Sequence, residues 1–201
     1  MPARHPPELA REREEAILGA ARRVLAVKGY EATRIQDVAD VMGIAKGTIY
    51  LYFRSKEELY WAALRAGLAE LHLRSEQAMA RESDVEAKLR TFVSTRLQYF
   101  DEHRDFFRVY FGSMGHALIQ HGPAVPQIED VYLAQVRILR ALVEEGIASG
   151  ALRGLDPQST AFSILELVRS RVTLRLRGWS TLSVEDELDD LFGLLWKGIA
   201  A

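Results

Sequence analysis

The residues of this chain best suited to chemistry are basic, hydroxyl-bearing and aromatic side chains concentrated around residue 50. Lysine ammonium groups neutralise phosphates, hydroxyl groups donate hydrogen bonds to phosphate oxygens, and aromatic rings pack against sugars and bases. A glycine among them would let the backbone approach a duplex closely. The predicted DNA contacts are Thr33, Lys46, Gly47, Thr48, Tyr50, Tyr52 and Lys56. The alternative is that the tyrosines fill a core and that the lysines are ordinary solvated surface residues.

Two short helices joined by a tight turn would position these side chains. Ala39 supplies the small residue that crossing helices need, and Gly43 supplies the φ > 0 conformation of a sharp turn. We expect Thr33 to be the N-cap of the first helix, with Gln36 completing a capping box, and the second helix to cover about 46–53. The apolar residues expected to hold the pair together are Val38, Met42, Ile44, Ile49 and Phe53. This pattern indicates a helix-turn-helix, whose second helix enters the major groove.

Helical periodicity continues along the rest of the chain, and no stretch alternates with the period of a β-strand. The predicted fold is therefore all-α, with about nine helices. The first helix is expected to end at Gly29, and its predicted core residues are Ile17, Ala20, Ala21, Val24 and Leu25. We divide the chain into a flexible tail over 1–7, a helix-turn-helix domain over 8–56 and a helical body over 57–201.

Composition excludes several classes of protein. The chain of 201 residues has no cysteine, which rules out a disulfide framework, a thiolate metal site and a cysteine nucleophile. No apolar run approaches the ~20 residues of a membrane helix, and the first residues lack the apolar core of a signal peptide. A cytoplasmic location is the default expectation.

Charge is distributed unevenly along a chain whose net charge is only −2. Residues 1–56 carry ten Lys and Arg against seven Asp and Glu, a net of +3, whereas residues 57–201 carry 16 against 21, a net of −5. A mildly basic first part on an acidic body suits a DNA-facing end whose binding depends mainly on the geometry of its contacts.

The segment from Thr33 to Leu59 resembles the DNA-binding domain of the TetR family of bacterial transcriptional regulators. The resemblance is carried by Ala39, Gly43, the run KGTIYLYF over 46–53 and the run SKEEL over 55–59. It implies an all-α protein with a three-helix DNA-binding domain and a six-helix effector-binding and dimerisation domain over 57–201. Such proteins are homodimers, usually repressors, that leave a double-stranded DNA operator when a small-molecule effector enters the body. Ala45 stands where the family often has serine, so a helix cap worth ~1 kcal/mol would be missing.

The resemblance also implies an effector pocket walled by the fourth to eighth helices, and the fifth helix has a stripe suited to line it. Phe92, Arg96, Tyr99 and His103 recur at i, i+4, i+7 and i+11, and they mix rings with polar groups as a mostly apolar pocket would. Residues expected to complete the lining are Trp61, Phe107, Tyr110, Phe111, Met114 and Tyr132. Such a lining would suit a flat or greasy effector, and Arg96 would favour an anionic group on it. The alternative is that the rings fill a core and that Arg96 and His103 reach solvent.

Wide apolar faces on the last two helices predict a homodimer, because pairing two copies as a four-helix interface would bury them. The predicted interface residues are Leu167, Arg171, Leu174, Leu188, Leu191, Phe192 and Leu195. Arg171 is the polar member of this set. We expect it to form an ion pair between subunits or to extend towards solvent, rather than to bind an effector.

Catalysis is the main competing class of function. The five histidines have no metal-ligand spacing with carboxylates, and no HExxH, P-loop or GxSxG motif is present. We therefore expect no enzymatic activity, no cofactor and no metal site. Two alternatives stay open: a DNA-binding dimer that responds to no effector and whose body only dimerises or binds a protein partner, and an activator rather than a repressor.

Overall fold

The computed structural model describes residues 7–112 and 128–201, which form nine helices and no strand. We number the helices in chain order as α1 (Pro7–Ala32), α2 (Ile35–Met42), α3 (Lys46–Tyr50), α4 (Lys56–Met79), α5 (Val85–Glu102), α6 (Arg104–Gly112), α7 (Glu129–Ser149), α8 (Pro157–Leu176) and α9 (Val184–Ile199). The predicted all-α class is confirmed. Among the described helices, none is long and apolar enough to cross a membrane.

The chain divides into two compact units. The first unit comprises residues 1–67 and 105–128, and the second comprises residues 68–104 and 129–201. The division falls inside α4, so this one continuous helix contributes residues to both units. The functional boundary drawn from the sequence at residue 56 stays a prediction.

The core of the first unit is built on α1. The residues predicted to face this core are at most 6% exposed, which confirms the apolar stripe read from the sequence. The helical conformation breaks at Gly29, whose φ of 75° and ψ of 171° place it in a region that a residue with a Cβ adopts only with strain. A kink at Gly29 therefore interrupts α1 at the residue where the sequence predicts its end, and a further helical turn reaches Ala32.

Capping side chains fix the first turn of three helices, α5, α8 and α9. Asp84 accepts a hydrogen bond from the backbone N–H of Ala87 at 2.8 Å, and Asp156 accepts one from Ser159 at the same distance. Ser183 accepts from Asp186 at 3.0 Å in the same way. Each side chain satisfies one of the amide groups that the first turn of a helix leaves without an intrahelical partner.

The second unit is organised around α5, which packs against α7, α8 and α9. Both of its stripes are buried. The apolar stripe of Leu89, Val93, Leu97 and Phe100 is at most 6% exposed, and so are three members of the mixed stripe, Phe92, Arg96 and Tyr99. A helix that is buried nearly all round is a central helix of its domain rather than a surface one.

A buried ionic network joins α8, α9 and the end of α5 within this unit. Glu187 is fully buried and lies 3.3 Å from Arg171 and 3.8 Å from Arg175. Arg175 in turn lies 3.0 Å from Asp101 and donates to the carbonyl oxygen of Leu182 at 2.8 Å. These contacts compensate for the cost of removing the charges from water.

Candidate nucleic-acid interface and effector region

The turn between α2 and α3 has the conformation that its glycine predicts. Gly43 has a φ of 63° and a ψ of 33°, in the left-handed region, and its N–H donates to the carbonyl oxygens of Ala39 and Asp40. The N–H of Ile44 also donates to Ala39, at 3.1 Å. Val38 and Ala39 are fully buried, so the two helices cross closely at a small side chain.

Helix α3 is short, covering only Lys46–Tyr50. The expectation that it continues to Phe53 is wrong, because the N–H groups of Tyr52 and Phe53 both donate to Ile49 at 3.0 Å and close a turn instead. Ile49 is fully buried and Phe53 is 3% exposed, so these two side chains anchor the segment as predicted. Ala45 is the N-cap of α3 and provides no side-chain hydrogen bond, as expected.

The opposite face of α3 presents the predicted contact residues to solvent. Lys46 and Gly47 are exposed, Tyr50 is 45% exposed, and Thr48 and Tyr52 are half-buried. The Lys46 ammonium lies 5.5 Å from the centroid of the Tyr50 ring, which keeps a cation and an aromatic ring side by side. The alternative that Tyr50 fills a core does not hold in this structure.

Thr33 requires a correction. The N-cap of α2 is Arg34, and the carboxylate of Asp37 accepts from its backbone N–H at 2.8 Å. Thr33 is only 3% exposed, and its hydroxyl donates to the carbonyl oxygen of Gly29 at 2.6 Å. The side chain is therefore committed to the end of α1 and is not presented to DNA.

Lys56 also has an internal role that the sequence does not reveal. It is the first residue of α4, as expected for a residue after the Ser55 cap, whose Oγ accepts from the N–H of Glu58 at 3.0 Å. Its ammonium donates to the carbonyl oxygens of Tyr30 at 2.9 Å and Glu31 at 3.3 Å. Two of its three donors are thus engaged, and one is left for a phosphate.

Two exposed residues near the helix-turn-helix were absent from the predicted contacts. Arg34 is exposed at the start of α2, and Leu51, directly after α3, is 82% exposed. Placing the N-cap one residue later would have identified Arg34. Leu51 stands where the TetR family commonly has a histidine, but as an apolar residue it was not included among the predicted contacts.

In the second unit, Arg96 is the predicted effector residue with the most unusual surroundings. It is 6% exposed, which contradicts the alternative that it reaches solvent. Its guanidinium lies 5.1 Å from the ring centroid of Phe92 and 6.0 Å from that of Phe100. Burial lowers the pKa of Arg96 to about 10, and the nearby Tyr132 opposes this shift.

The other predicted effector residues of this unit lie in two groups. Tyr99 is buried, donates to Glu70 at 3.2 Å and packs against the half-buried His103 with ring centroids 4.5 Å apart. Tyr132 is half-buried and donates to Glu166 at 2.9 Å. Burial and this carboxylate both raise the pKa of Tyr132.

The remaining predicted effector residues belong to the first unit or lie outside the described residues. Trp61 is half-buried and packs edge-on against Tyr60, with centroids 5.3 Å apart. Phe107 is 1% exposed. Tyr110 and Phe111 lie in α6. Met114 lies outside the described residues.

Two protein-family models match this chain. The one described as "Bacterial regulatory proteins, tetR family" matches residues 17–63, which include α2 and α3. The one described as "Tetracyclin repressor-like, C-terminal domain" matches residues 82–173. The chain belongs to the TetR family. It is a DNA-binding transcriptional regulator.

Similar TetR-family proteins match over most of their length. The fatty acid metabolism regulator protein of Bacillus subtilis is 26% identical, over 78% of this chain and 80% of its own. The transcriptional repressor KstR2 of Rhodococcus jostii is 25% identical, over 94% of this chain and 92% of its own. The crystal structure of FadR from Bacillus subtilis in complex with stearoyl-CoA superposes with a TM-score of 0.76, at 22% identity, and the match covers 92% of this chain and 98% of FadR.

The residues predicted to form the dimer interface differ in their exposure within the single chain. Leu191, Phe192 and Leu195 are at most 6% exposed, because α9 turns this side towards α5, so they are not accessible to a second copy. Arg171 pairs within the chain, at 3.3 Å from Glu187 and 2.8 Å from Asp190, and its ion pair between subunits stays a prediction.

The rest of the predicted interface keeps some exposure. Leu167, Leu174 and Leu188 are half-buried. Leu194, which the prediction omitted, is 58% exposed on α9. The exposed side of α9 is thus marked by Leu194 and not by its neighbour Leu195.

Proposed function

We propose that this regulator is a homodimeric repressor that binds a double-stranded DNA operator through α2 and α3 and leaves it when a small-molecule effector binds. The observation that supports DNA contact most directly is the two-sided character of α3. Ile49 and Phe53 anchor the segment with buried side chains, and Lys46, Gly47 and Tyr50 are exposed to solvent. A short helix held this way is rigid enough to read a groove.

Each exposed residue suits a particular part of a duplex. Lys46 would neutralise a phosphate, and Thr48 would donate to a phosphate oxygen or meet a thymine methyl. The Tyr50 and Tyr52 rings would pack against sugars or bases, while Gly47 keeps the backbone free to approach. Arg34 and the third donor of Lys56 would grip the flanking backbone, and Thr33 would act only by holding α1 to α2. The resulting set of contacts is Arg34, Lys46, Gly47, Thr48, Tyr50, Tyr52 and Lys56.

We assign dimerisation to the exposed sides of α8 and α9. Leu167, Leu174, Leu188 and Leu194 are apolar and still partly or largely exposed in the single chain. Burying such side chains against a second copy would remove apolar area from water. A dimer would place two α3 helices on half-sites about 34–36 Å apart, one turn of the duplex.

We assign effector binding to the second unit. The names of the relatives support an apolar or acyl-type effector, since one is a fatty acid metabolism regulator and a structural neighbour was crystallised with stearoyl-CoA. An effector acts by preferring one of two protein geometries, and that difference in affinity sets how far it shifts DNA binding. Helix α4 has residues in both units and is the covalent route for such a shift.

The proposal is tested with an operator selected by the protein itself. Purified protein is incubated with a random duplex library, bound sequences are enriched, and affinity is measured by fluorescence anisotropy. We expect a two-fold symmetric site and a two-to-one protein-to-duplex stoichiometry. Tyr50→Ala should weaken binding by at least about tenfold without changing the melting temperature, as expected for a contact worth about 1–3 kcal/mol. Unchanged binding by Tyr50→Ala would contradict the assignment of α3.

The effector response is tested on the same selected duplex. Long-chain acyl compounds are added, and release from DNA is followed by anisotropy. Release would support the repressor mechanism. Tight DNA binding that no such compound changes would favour the alternative of an effector-independent dimer.

A further inference from the structure

Arg96 is a buried cation without a hydrogen-bond partner for one of its terminal nitrogens. The residue is 6% exposed, and Nη1 has no acceptor within hydrogen-bond distance among the described residues. Its guanidinium lies near the faces of Phe92 and Phe100, with ring centroids at 5.1 and 6.0 Å. Aromatic faces attract a guanidinium but accept no conventional hydrogen bond, so the desolvated N–H stays unsatisfied.

Other buried charges of the same unit are paired. Glu187 and Arg175 lie 3.8 Å apart, and Arg175 also reaches Asp101 at 3.0 Å. These charges have opposite charges at short range, although Nε of Arg175 also lacks a hydrogen-bond partner among the described residues. An unpaired buried charge costs several kcal/mol in general, which makes Arg96 difficult to explain as a stabilising core residue.

Glu166, the carboxylate that is hydrogen-bonded to Tyr132, already has partners other than Arg96. Glu166 accepts from the hydroxyl of Tyr132 at 2.9 Å and from Nε of Arg169 at 2.8 Å. Tyr132 interacts electrostatically with Arg96, so this pair lies close enough to influence it. Within the described residues Glu166 makes no ion pair with Arg96, and Nη1 of Arg96 has no acceptor.

Burial does not discharge the guanidinium. It lowers the pKa of Arg96 to about 10, which is still well above neutral pH. The side chain therefore carries its charge under physiological conditions. A bound anion would supply the missing acceptor in a water-poor site, where a charge-assisted hydrogen bond is strong.

We propose that the effector is an amphipathic anion, a carboxylate or phosphate on an apolar body, and that Arg96 binds its charged group while Phe92 and Phe100 contact the apolar part beside it. This inference rests on the proposed effector-responsive function. It assigns the chemical class of the ligand and the residue that selects it. It also excludes a cationic group at this position, because the like charges would repel each other at short range in low dielectric.

The test uses four probes that share one hydrocarbon chain and differ in charge: dodecanoate, dodecyl phosphate, dodecan-1-ol and dodecyltrimethylammonium, all below their micellar concentrations. Binding to the full-length protein is followed by tryptophan fluorescence. We expect at least one anion to bind about tenfold or more tightly than the alcohol, and the cation to bind least. Comparing the carboxylate with the phosphate separates a free acid from a phosphate-bearing carrier as the source of the charge.

Variants of Arg96 connect this preference to the residue. Arg96→Gln should reduce the affinity for the anion to about that for the alcohol, and Arg96→Lys should retain part of the preference. Arg90→Gln is the matched control, because Arg90 lies on the same helix but pairs with Asp189 at the surface. It should leave the preference unchanged.

Arg96→Met separates a ligand-binding role from a structural one. If Arg96 is kept for a ligand, the unliganded variant should melt at the same temperature as the wild type or higher, since an uncompensated charge is removed. A lower melting temperature together with an unchanged preference for anions would overturn the inference. So would wild-type protein that binds the alcohol as tightly as the anions, or that binds none of the four probes. Binding of the same protein preparations to the selected duplex is measured in parallel. DNA binding that persists when the anion preference fails would overturn the ligand inference and leave the regulator function in place.

Discussion

Lys56 holds the last turn of α1 through its contact with Tyr30. The ammonium donates to the Tyr30 carbonyl oxygen at 2.9 Å and lies 4.3 Å from the centroid of the same residue's ring. The ring in turn packs edge-on against Tyr60, at 5.0 Å between centroids. One lysine at the start of α4 thus fixes the segment that precedes the helix-turn-helix, and a residue chosen for DNA contact also serves the fold.

Replacing Lys56 should therefore lower stability as well as DNA affinity. Lys56→Met removes the hydrogen bonds to Tyr30 and Glu31 and the cation–π contact, and we expect a loss of about 1–3 kcal/mol in the free energy of unfolding. Urea denaturation measures it. Lys46→Met is the control, because Lys46 is exposed and should affect only DNA binding. Equal stability of the two variants would contradict the structural role of Lys56.

Alanine substitution of the two glycines around the turn, Gly43 and Gly47, should change the stability of the protein in different directions. Gly43 has a φ of 63°, so Gly43→Ala is strained although nothing lies within 4 Å of the added Cβ. We expect it to cost about 1 kcal/mol. Gly47 is helical and equally open, so Gly47→Ala should be neutral or stabilise by up to about 1 kcal/mol.

The DNA affinities of these two variants should rank in the opposite order to their stabilities. The new methyl of Gly47→Ala stands on the exposed face of α3 and should keep the backbone away from the duplex, so its affinity falls while its stability does not. Thermal melts and anisotropy titrations on the same samples give both quantities. A Gly47→Ala protein that binds the selected duplex as well as the wild type would remove Gly47 from the interface.

The salt dependence of DNA binding should report Lys46 as a phosphate contact. Neutralising a phosphate releases condensed counterions, and a dimer places one Lys46 on each half-site, so Lys46→Ala should reduce the slope of log K against log salt by about two units per dimer. The loss of affinity should be similar for specific and non-specific duplexes. Anisotropy titrations over a series of salt concentrations measure the slope, and an unchanged slope would place Lys46 away from the backbone.

Acid should weaken the second unit through Asp101. Burial alone would raise the pKa of Asp101, but hydrogen bonds from Arg104 and Arg175 outweigh it and hold that pKa below its ordinary value. A carboxylate with a depressed pKa in the folded state stabilises the protein above its unfolded pKa of about 3.9, and this stabilisation is lost as the pH falls through the folded pKa. The free energy of unfolding should therefore fall between about pH 5 and about pH 2.

Substitutions of Asp101 and Arg104 should change this loss of unfolding free energy in acid in predictable directions. Arg104→Gln removes one of the two guanidinium partners, so the loss of stability in acid should be smaller and should end at a higher pH than in the wild type. Asp101→Asn should be less stable near neutral pH and should show a flatter profile in acid. Denaturant melts at a series of pH values measure both, and profiles parallel to the wild type would show that Asp101 is not coupled to its neighbours.

The dimer should depend on Leu194 and not on Leu191. Leu194 is 58% exposed and Leu191 is fully buried. Leu194→Glu should leave the fold intact and yield a monomer in sedimentation or light scattering, because a charge would have to be buried at the interface. Leu191→Ala should lower stability by about 2–5 kcal/mol through a core cavity. A dimeric Leu194→Glu protein would exclude this side of α9 from the interface.

Most of the fold followed from local sequence signals. The stripe of α1 and the positive-φ conformations of Gly29 and Gly43 depend on interactions within a few residues of each other, so spacing and residue type were sufficient to place them. The recognition segment around Ile49 and Tyr50 followed for the same reason. The prediction missed that the N-cap of α2 is Arg34 and not Thr33, and that α3 ends at Tyr50 and not at Phe53. In both cases the predicted and the observed boundary satisfy the same local pattern.

What the sequence by itself determined was therefore the class of the protein, its helices and its exposed α3 residues. The tertiary structure alone decided the partners of side chains that are distant in sequence. It assigned Thr33 to Gly29 and Lys56 to Tyr30, turned Leu191, Phe192 and Leu195 inward, paired Arg171 with Glu187, and left Arg96 buried without an acceptor on Nη1 among the described residues. Helical periodicity tells which side of a helix is apolar. Which neighbour covers that side, and whether a buried charge meets its opposite there, depends on how the helices pack in three dimensions.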